Sequence, residues 1–87
     1  MNRSVVIFVT RDGCALCDEL FERVVNQAKH LGVEVTTVDV DADPDLLARF
    51  GHAVPVLMRA GGKVLASGRV SSVDVWVALI RAKFSPK

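Results

Sequence analysis

Cys14 and Cys17 are the only cysteines in this 87-residue chain, and they stand three residues apart. They follow a β-branched run, Val5-Val6-Ile7-Phe8-Val9, and open a run with helical periodicity. A helix start offers unpaired backbone N–H groups and the positive end of a dipole, so a thiol seated there loses its proton readily. The thiolate is the nucleophile of disulfide chemistry. Side chains three apart on a helix have Cβ atoms about 5–6 Å apart. A disulfide needs Cα atoms roughly 4.4–6.8 Å apart, so such a pair opens and closes with little backbone movement. The residue types and their spacing therefore point first to thiol–disulfide exchange.

Magnitudes decide what an acidic thiol explains. A thiol whose pKa falls from about 8.5 to about 6.5 holds roughly 25-fold more thiolate at neutral pH. A Brønsted slope of about 0.45 then removes roughly 8-fold of its nucleophilicity. The net gain in attack is only about threefold. Two further effects matter more: the acidic thiol is a good leaving group, and its neighbour attacks at high effective concentration. Asp12 and Asp18 oppose the acidification.

The elements that position the pair follow from hydrophobic patterning. Val5 to Val9 reads as a strand buried on both faces, the pattern of a parallel-sheet interior. From Ala15 a helix is expected, with Leu16, Leu20, Val24, Ala28 and Leu31 on one stripe, Phe21 and Val25 beside it, and Gly32 as left-handed cap. A second strand covers 33–40. Asp43-Pro44 reads as an N-cap followed by proline at the first helical position, with Leu46, Leu47 and Phe50 on a short apolar face that ends at Gly51. Val54-Pro55 opens a third strand through Met58. Gly61-Gly62 reads as a two-residue hairpin turn to a strand at 63–66. Ser71 and Asp74 form a capping box, and Val73, Trp76, Val77, Ile80 and Phe84 are expected to face the core on a last helix. The order is β-α-β-α-β-β-α in one domain, residues 1–87, of the α/β class. The strand–helix–strand unit implies a parallel crossover, and the hairpin adds antiparallel strands.

Composition narrows the function classes. A net charge of +1 with scattered basic residues gives no bulk electrostatic attraction to nucleic acid or anionic membrane. No apolar run approaches the roughly 20 residues of a membrane span. The segment Met1-Asn2-Arg3-Ser4 followed by Val5 to Val9 has an apolar core too short for a secretory leader, so a cytoplasmic setting is expected. Two cysteines in a reducing compartment read as catalytic or metal-binding rather than as a permanent crosslink.

The stretch Phe8-Val9-Thr10-Arg11-Asp12-Gly13-Cys14-Ala15-Leu16-Cys17 resembles the active-site strand, loop and helix start of glutaredoxins. Val38-Asp39-Val40-Asp41, Pro44, Leu46, Phe50-Gly51 and Val54-Pro55-Val56-Leu57 resemble the second half of the thioredoxin-like fold, so the likeness spans nearly the whole chain. It is similar to short glutaredoxin-like proteins of bacteria. The resemblance implies a four-stranded mixed sheet flanked by helices. It implies Cys14 as exposed nucleophile, Cys17 as resolving thiol, and a cis Val54-Pro55 peptide facing them. Arg11, Val54 and Pro55 become the expected substrate-binding residues. No cofactor is expected to be bound. Glutathione is the implied co-substrate, the partner is a disulfide-containing protein or glutathione mixed disulfide, and a monomer is expected. The chain departs from the family in its Ala15-Leu16 pair and in Ala53, where threonine is usual. It departs again before the last helix, where Gly68 stands alone and Val70-Ser71 or Ser71-Ser72 replace an acidic pair.

Other readings are weighed on the same residues. His30 follows Cys17 at zinc-finger-like spacing, but a helix rising about 1.5 Å per residue puts it about 20 Å away. His52 has the wrong spacing for a finger. Asp39, Asp41, Asp43 and Asp45 alternate, yet Pro44 and Phe50 occupy the glycine and glutamate places of a calcium loop. Gly61-Gly62-Lys63 lacks the phosphate-loop pattern. Two other functions stay open: a non-enzymatic binding module using the Val54-Pro55 edge, and a carrier of a soft metal or iron–sulfur centre through Cys14.

Overall fold

The structure is a computed structural model that describes residues 4–84. Met1-Asn2-Arg3, part of the segment read for a leader, lies outside the described residues. The elements run β1 (Val5–Thr10), α1 (Ala15–Leu31), β2 (Glu34–Asp39), a 3-10 turn (Val40–Ala42), α2 (Pro44–Phe50), β3 (Val56–Arg59), β4 (Val64–Ser67) and α3 (Ser72–Phe84). This is the order the patterning predicts.

The strands form one mixed sheet in the order β2-β1-β3-β4. β1 lies parallel to β2 and antiparallel to β3, and β4 returns antiparallel to β3. The unbroken apolar run of β1 is explained by its central place, because side chains on both sides of the pleat are covered. Val6 and Phe8 join Leu57 on the face packed by Leu20, Val24 and Ala28 of α1 and by Val75, Ala78 and Leu79 of α3. Val9 joins Val56 and Met58 on the other face, packed by Val40 and Phe50 with Leu46 of α2 beside them. Two cores thus hold the sheet from opposite sides and fix where β1 ends.

Local chemistry sets the element boundaries. Asp43 accepts the backbone N–H groups of Asp45 and Leu46 at 2.9 and 3.3 Å, and Pro44 occupies the first turn of α2. Gly32 takes a left-handed φ of 70° and its N–H closes on Ala28, ending α1. At α3 the Ser71 hydroxyl accepts from Asp74 N–H at 3.1 Å, while the Asp74 carboxylate accepts from Ser71 N–H at 3.3 Å. Both halves of the expected capping box are present.

Three expectations are corrected. The third strand starts at Val56 rather than Val54, since Pro55 has no N–H to give a ladder. The hairpin is longer than two residues: Gly62 N–H donates to Arg59 at 2.8 Å, and Arg59 N–H donates to Lys63 at 2.8 Å. The inward stripe of α3 is Val75, Ala78 and Leu79, with Ala82 packed beside it, and not Val73, Trp76, Val77, Ile80 and Phe84. Trp76 is 43% and Phe84 67% exposed, so neither is a core residue. The helix is apolar on two opposite faces, and the face with two alanines is the one that approaches α1 and the sheet.

Candidate active site

The sulfur pair sits where β1 runs out. Gly13 holds a positive φ of 75°, which lets the chain turn sharply from Arg11-Asp12 into the helix. Cys14 is the N-cap of α1, in extended conformation. Its carbonyl accepts the first helical bond, from Asp18 N–H at 3.1 Å, and its Sγ accepts from Cys17 N–H at 3.1 Å. Caps are usually oxygen side chains; here a sulfur receives an otherwise unpaired N–H of the first turn. Cys14 and Cys17 are joined by a disulfide, with Cα atoms 5.2 Å apart. Cys17 is fully buried and Cys14 half-buried, so an approaching molecule meets Cys14.

Val54-Pro55 is a cis peptide. Val56 pairs with Val9, so Val54-Pro55 leaves the sheet at the same end as the loop to Cys14. The Pro55 carbonyl accepts from Gly68 N–H at 2.8 Å, which ties the loop after β4 to this end as well. Pro55 is buried and Val54 packs beside the second core.

Arg11 is turned toward α2. Its Nε and Nη2 donate to the two Asp41 oxygens at 2.9 Å each, and its Nη1 donates to the Gly51 carbonyl at 2.9 Å. Hydrogen bonding to Arg11 holds the Asp41 carboxyl below the usual carboxylate range, and the same bonds raise the guanidinium further. Three of its five N–H groups are therefore engaged within the chain.

Sequence reasoning missed a cavity of about 320 Å³ beside the first turns of α1. Leu16, Glu19, Leu20, Arg23, Arg69, Val70 and Ser71 line it. Arg23 donates to the Val70 carbonyl at 3.4 Å. Arg23 and Arg69 lie 46 positions apart in the sequence, so only the fold brings them together; the one local signal was Gly68, which precedes Arg69. Among the described residues no group of three or more His, Cys, Asp or Glu gathers as metal ligands. His30 stands at the far end of α1, its Nδ1 2.8 Å from the Asn26 carbonyl. Among the described residues no helix is long and apolar enough to cross a membrane.

Comparison with solved structures gives the same architecture. A structural-genomics target protein from X. campestris superposes with a TM-score of 0.71 at 27% identity, covering 88% of this chain and 97% of that one. Thioredoxin 1 of Thermosipho africanus superposes at 0.67 with 17% identity, over 88% and 91% of the two chains. In sequence, an uncharacterized protein of Mycobacterium tuberculosis is 36% identical over 66 residues, covering 70% of this chain and 68% of its own. The profile of one family spans residues 5–85, from the first residue of β1 to one beyond α3. A mixed sheet of this order, a Cys-x-x-Cys helix start and that match carry one conclusion: the chain belongs to the glutaredoxin-like domain (DUF836) family.

Proposed function

We propose that the protein is a cytoplasmic thiol–disulfide oxidoreductase working by dithiol exchange through Cys14-Ala15-Leu16-Cys17. The observation that carries this reading is the asymmetry of the pair. A half-exposed Cys14 caps the helix and takes an N–H at 3.1 Å, while its disulfide partner Cys17 is fully buried. With the pair reduced, the N–H and the helix end favour negative charge on Cys14 sulfur.

The Cys14 thiolate attacks one sulfur of a substrate disulfide. That S–S bond breaks, the leaving sulfur departs as a thiolate and takes a proton, and Cys14 holds the other half as a mixed disulfide. Cys17 loses its proton and attacks Cys14 Sγ, which expels the second substrate thiolate and closes the Cys14–Cys17 bond. Two electrons have moved from protein to substrate, and the Cys17 proton with one from solvent completes the two product thiols. A donor dithiol, or two molecules of glutathione, returns them.

Two surroundings support this substrate class. The cis Val54-Pro55 segment lies at the same end of the sheet and gives an extended substrate a backbone to align with. The Arg23 and Arg69 cavity gives an anionic co-substrate such as glutathione two cations close to Leu16, next to the pair. The substrates are disulfide-containing proteins or glutathione mixed disulfides.

The test is reduction of a small mixed disulfide with glutathione as donor, run beside a thioredoxin reductase. Turnover is expected with wild type and is lost in Cys14→Ser. Cys17→Ser is expected to accumulate the mixed disulfide on Cys14. Turnover with the reductase alone would reject glutathione as donor, and full activity of Cys14→Ser would reject the dithiol mechanism.

A further inference from the structure

A second surface lies along the opposite edge of the fold. In the order β2-β1-β3-β4, β4 ends the sheet, so among the described residues one side of its backbone has no neighbouring strand. An uncovered strand edge is a template for another chain. Two adjoining cavities of about 280 and 300 Å³ run between β4 and α3, sharing Leu65 and Arg81 as walls. Leu65, Ala66 and Val77 make the groove apolar, and Val64 beside it is 42% exposed.

The groove is polarised. Arg59, Lys63 and Arg81 line one end, with no carboxylate among that cavity's walls. Arg59 is held there by donating to the Arg81 carbonyl at 3.3 Å. Among the described residues the one salt bridge is Arg11–Asp41, and these three cations have no carboxylate partner there. Asp74 sits at the other end, already bonded to Ser71. The surrounding sequence leans the same way: residues 51–87 hold six Lys and Arg against a single acid, Asp74. Arg59 pairs with Val6 at the start of β1, so the basic end points away from the Cys14 pole.

We propose that this groove docks an extended acidic peptide segment of another protein, which adds a fifth strand to β4. Its β-branched or aliphatic side chains lie on Leu65, Ala66 and Val77, and its acidic end meets Arg59, Lys63 and Arg81. Charge selects this occupant over a second copy. A second copy would offer the three cations only Asp74, which is already bonded to Ser71. The apolar wall and free strand edge favour a peptide over a nucleic-acid backbone. The site stands apart from the redox pair and does not depend on it.

The experiment pans a library of random extended peptides against the oxidised full chain, then follows the enriched peptide by backbone amide NMR. Enriched sequences are expected to carry Asp or Glu at one end of a β-branched run and to shift the amides of Val64–Ser67. Affinity is expected to fall about tenfold or more in Arg59→Glu and in Arg81→Glu. It is expected to stay unchanged in Cys14→Ser, which separates this site from the redox reading. Lys63→Glu, on an exposed turn, serves if either arginine variant fails to fold. No enrichment, a consensus without acids, or shifts confined to Cys14–Cys17 would overturn the proposal. So would self-association through β4 in sedimentation, or preference for an oligothymidylate over the peptides.

Discussion

At the scale of single residues, Arg11 and Asp41 decide how the loop before Cys14 is anchored. They lie 30 positions apart, and a bidentate ion pair with a third bond to Gly51 ties the loop before Cys14 to the residues that follow Val40 and Phe50 of the second core. No spacing rule reveals such a pair. The resemblance marked Arg11, and alternation marked the aspartates, but nothing in the sequence joins them. Asp41 has a lowered pKa when folded, so its contribution to stability is fully present above its unfolded pKa near 4 and is lost as pH falls through the folded value. Asp41→Asn is therefore expected to lower Tm at neutral pH, with the gap to wild type closing below about pH 4. Thermal melts across pH check this, and a gap that persists in strong acid would assign the loss to packing instead. Gly51 offers a sharper test. Its φ of −55° suits any residue, yet a Cβ there would stand 2.6 Å from the Leu47 carbonyl oxygen. Gly51→Ala must displace backbone that also carries the Arg11 anchor, and a loss of about 1–3 kcal/mol is expected in chemical denaturation.

At the scale of elements, α1 and α3 show what periodicity can and cannot decide. In α1 the stripe through Leu20, Val24 and Ala28 was legible because its opposite face is charged, and it is the buried face. In α3 two apolar stripes compete. Val73, Trp76, Val77 and Phe84 are larger and outward; Val75, Ala78 and Leu79 are inward. Bulk misleads here, because a helix packed on both a sheet and a neighbouring helix needs small residues where the backbones approach. Caps were the most legible feature, since Ser71, Asp43 and Gly32 act on their own neighbours and need no tertiary information. The Arg23–Arg69 cavity was illegible for the converse reason. The corrected orientation of α3 predicts a contrast within one helix. Leu79→Ala is expected to destabilise by about 2–5 kcal/mol through lost burial and the cavity left behind. Val73→Ser, at 69% exposure, is expected to change stability by no more than about 0.5 kcal/mol. Equal losses at both positions in denaturant titrations would restore the outward stripe to the core.

At the scale of the whole molecule, the redox state and the fold are linked through one cycle. Closing the Cys14–Cys17 bond restricts the unfolded chain by a loop of only four residues. By chain entropy that favours the oxidised fold by about 1.9 kcal/mol. Opening it places a thiolate at the N-terminus of α1, where helix-end interaction favours the reduced fold by about 0.3–1 kcal/mol, and by up to about 2 when partly buried. Two opposing quantities of similar size leave a small difference. The oxidised form is expected to be more stable by no more than about 1–1.5 kcal/mol, equivalent to roughly 4–10 °C in Tm for a domain of this length. Because the thiolate contribution exists only where Cys14 is ionised, the gap is expected to shrink as pH rises through the Cys14 titration. Paired melts of oxidised and reduced protein across pH measure this directly. A reduced form more stable than the oxidised one would make the pair an oxidant of other thiols, because stabilising the dithiol raises its reduction potential. A gap of several kcal/mol in favour of the disulfide, flat with pH, would mean that the helix end does not reach the sulfur at all. The pair would then be a stronger reductant, but the attack by Cys14 would lack the helix-end activation proposed for it.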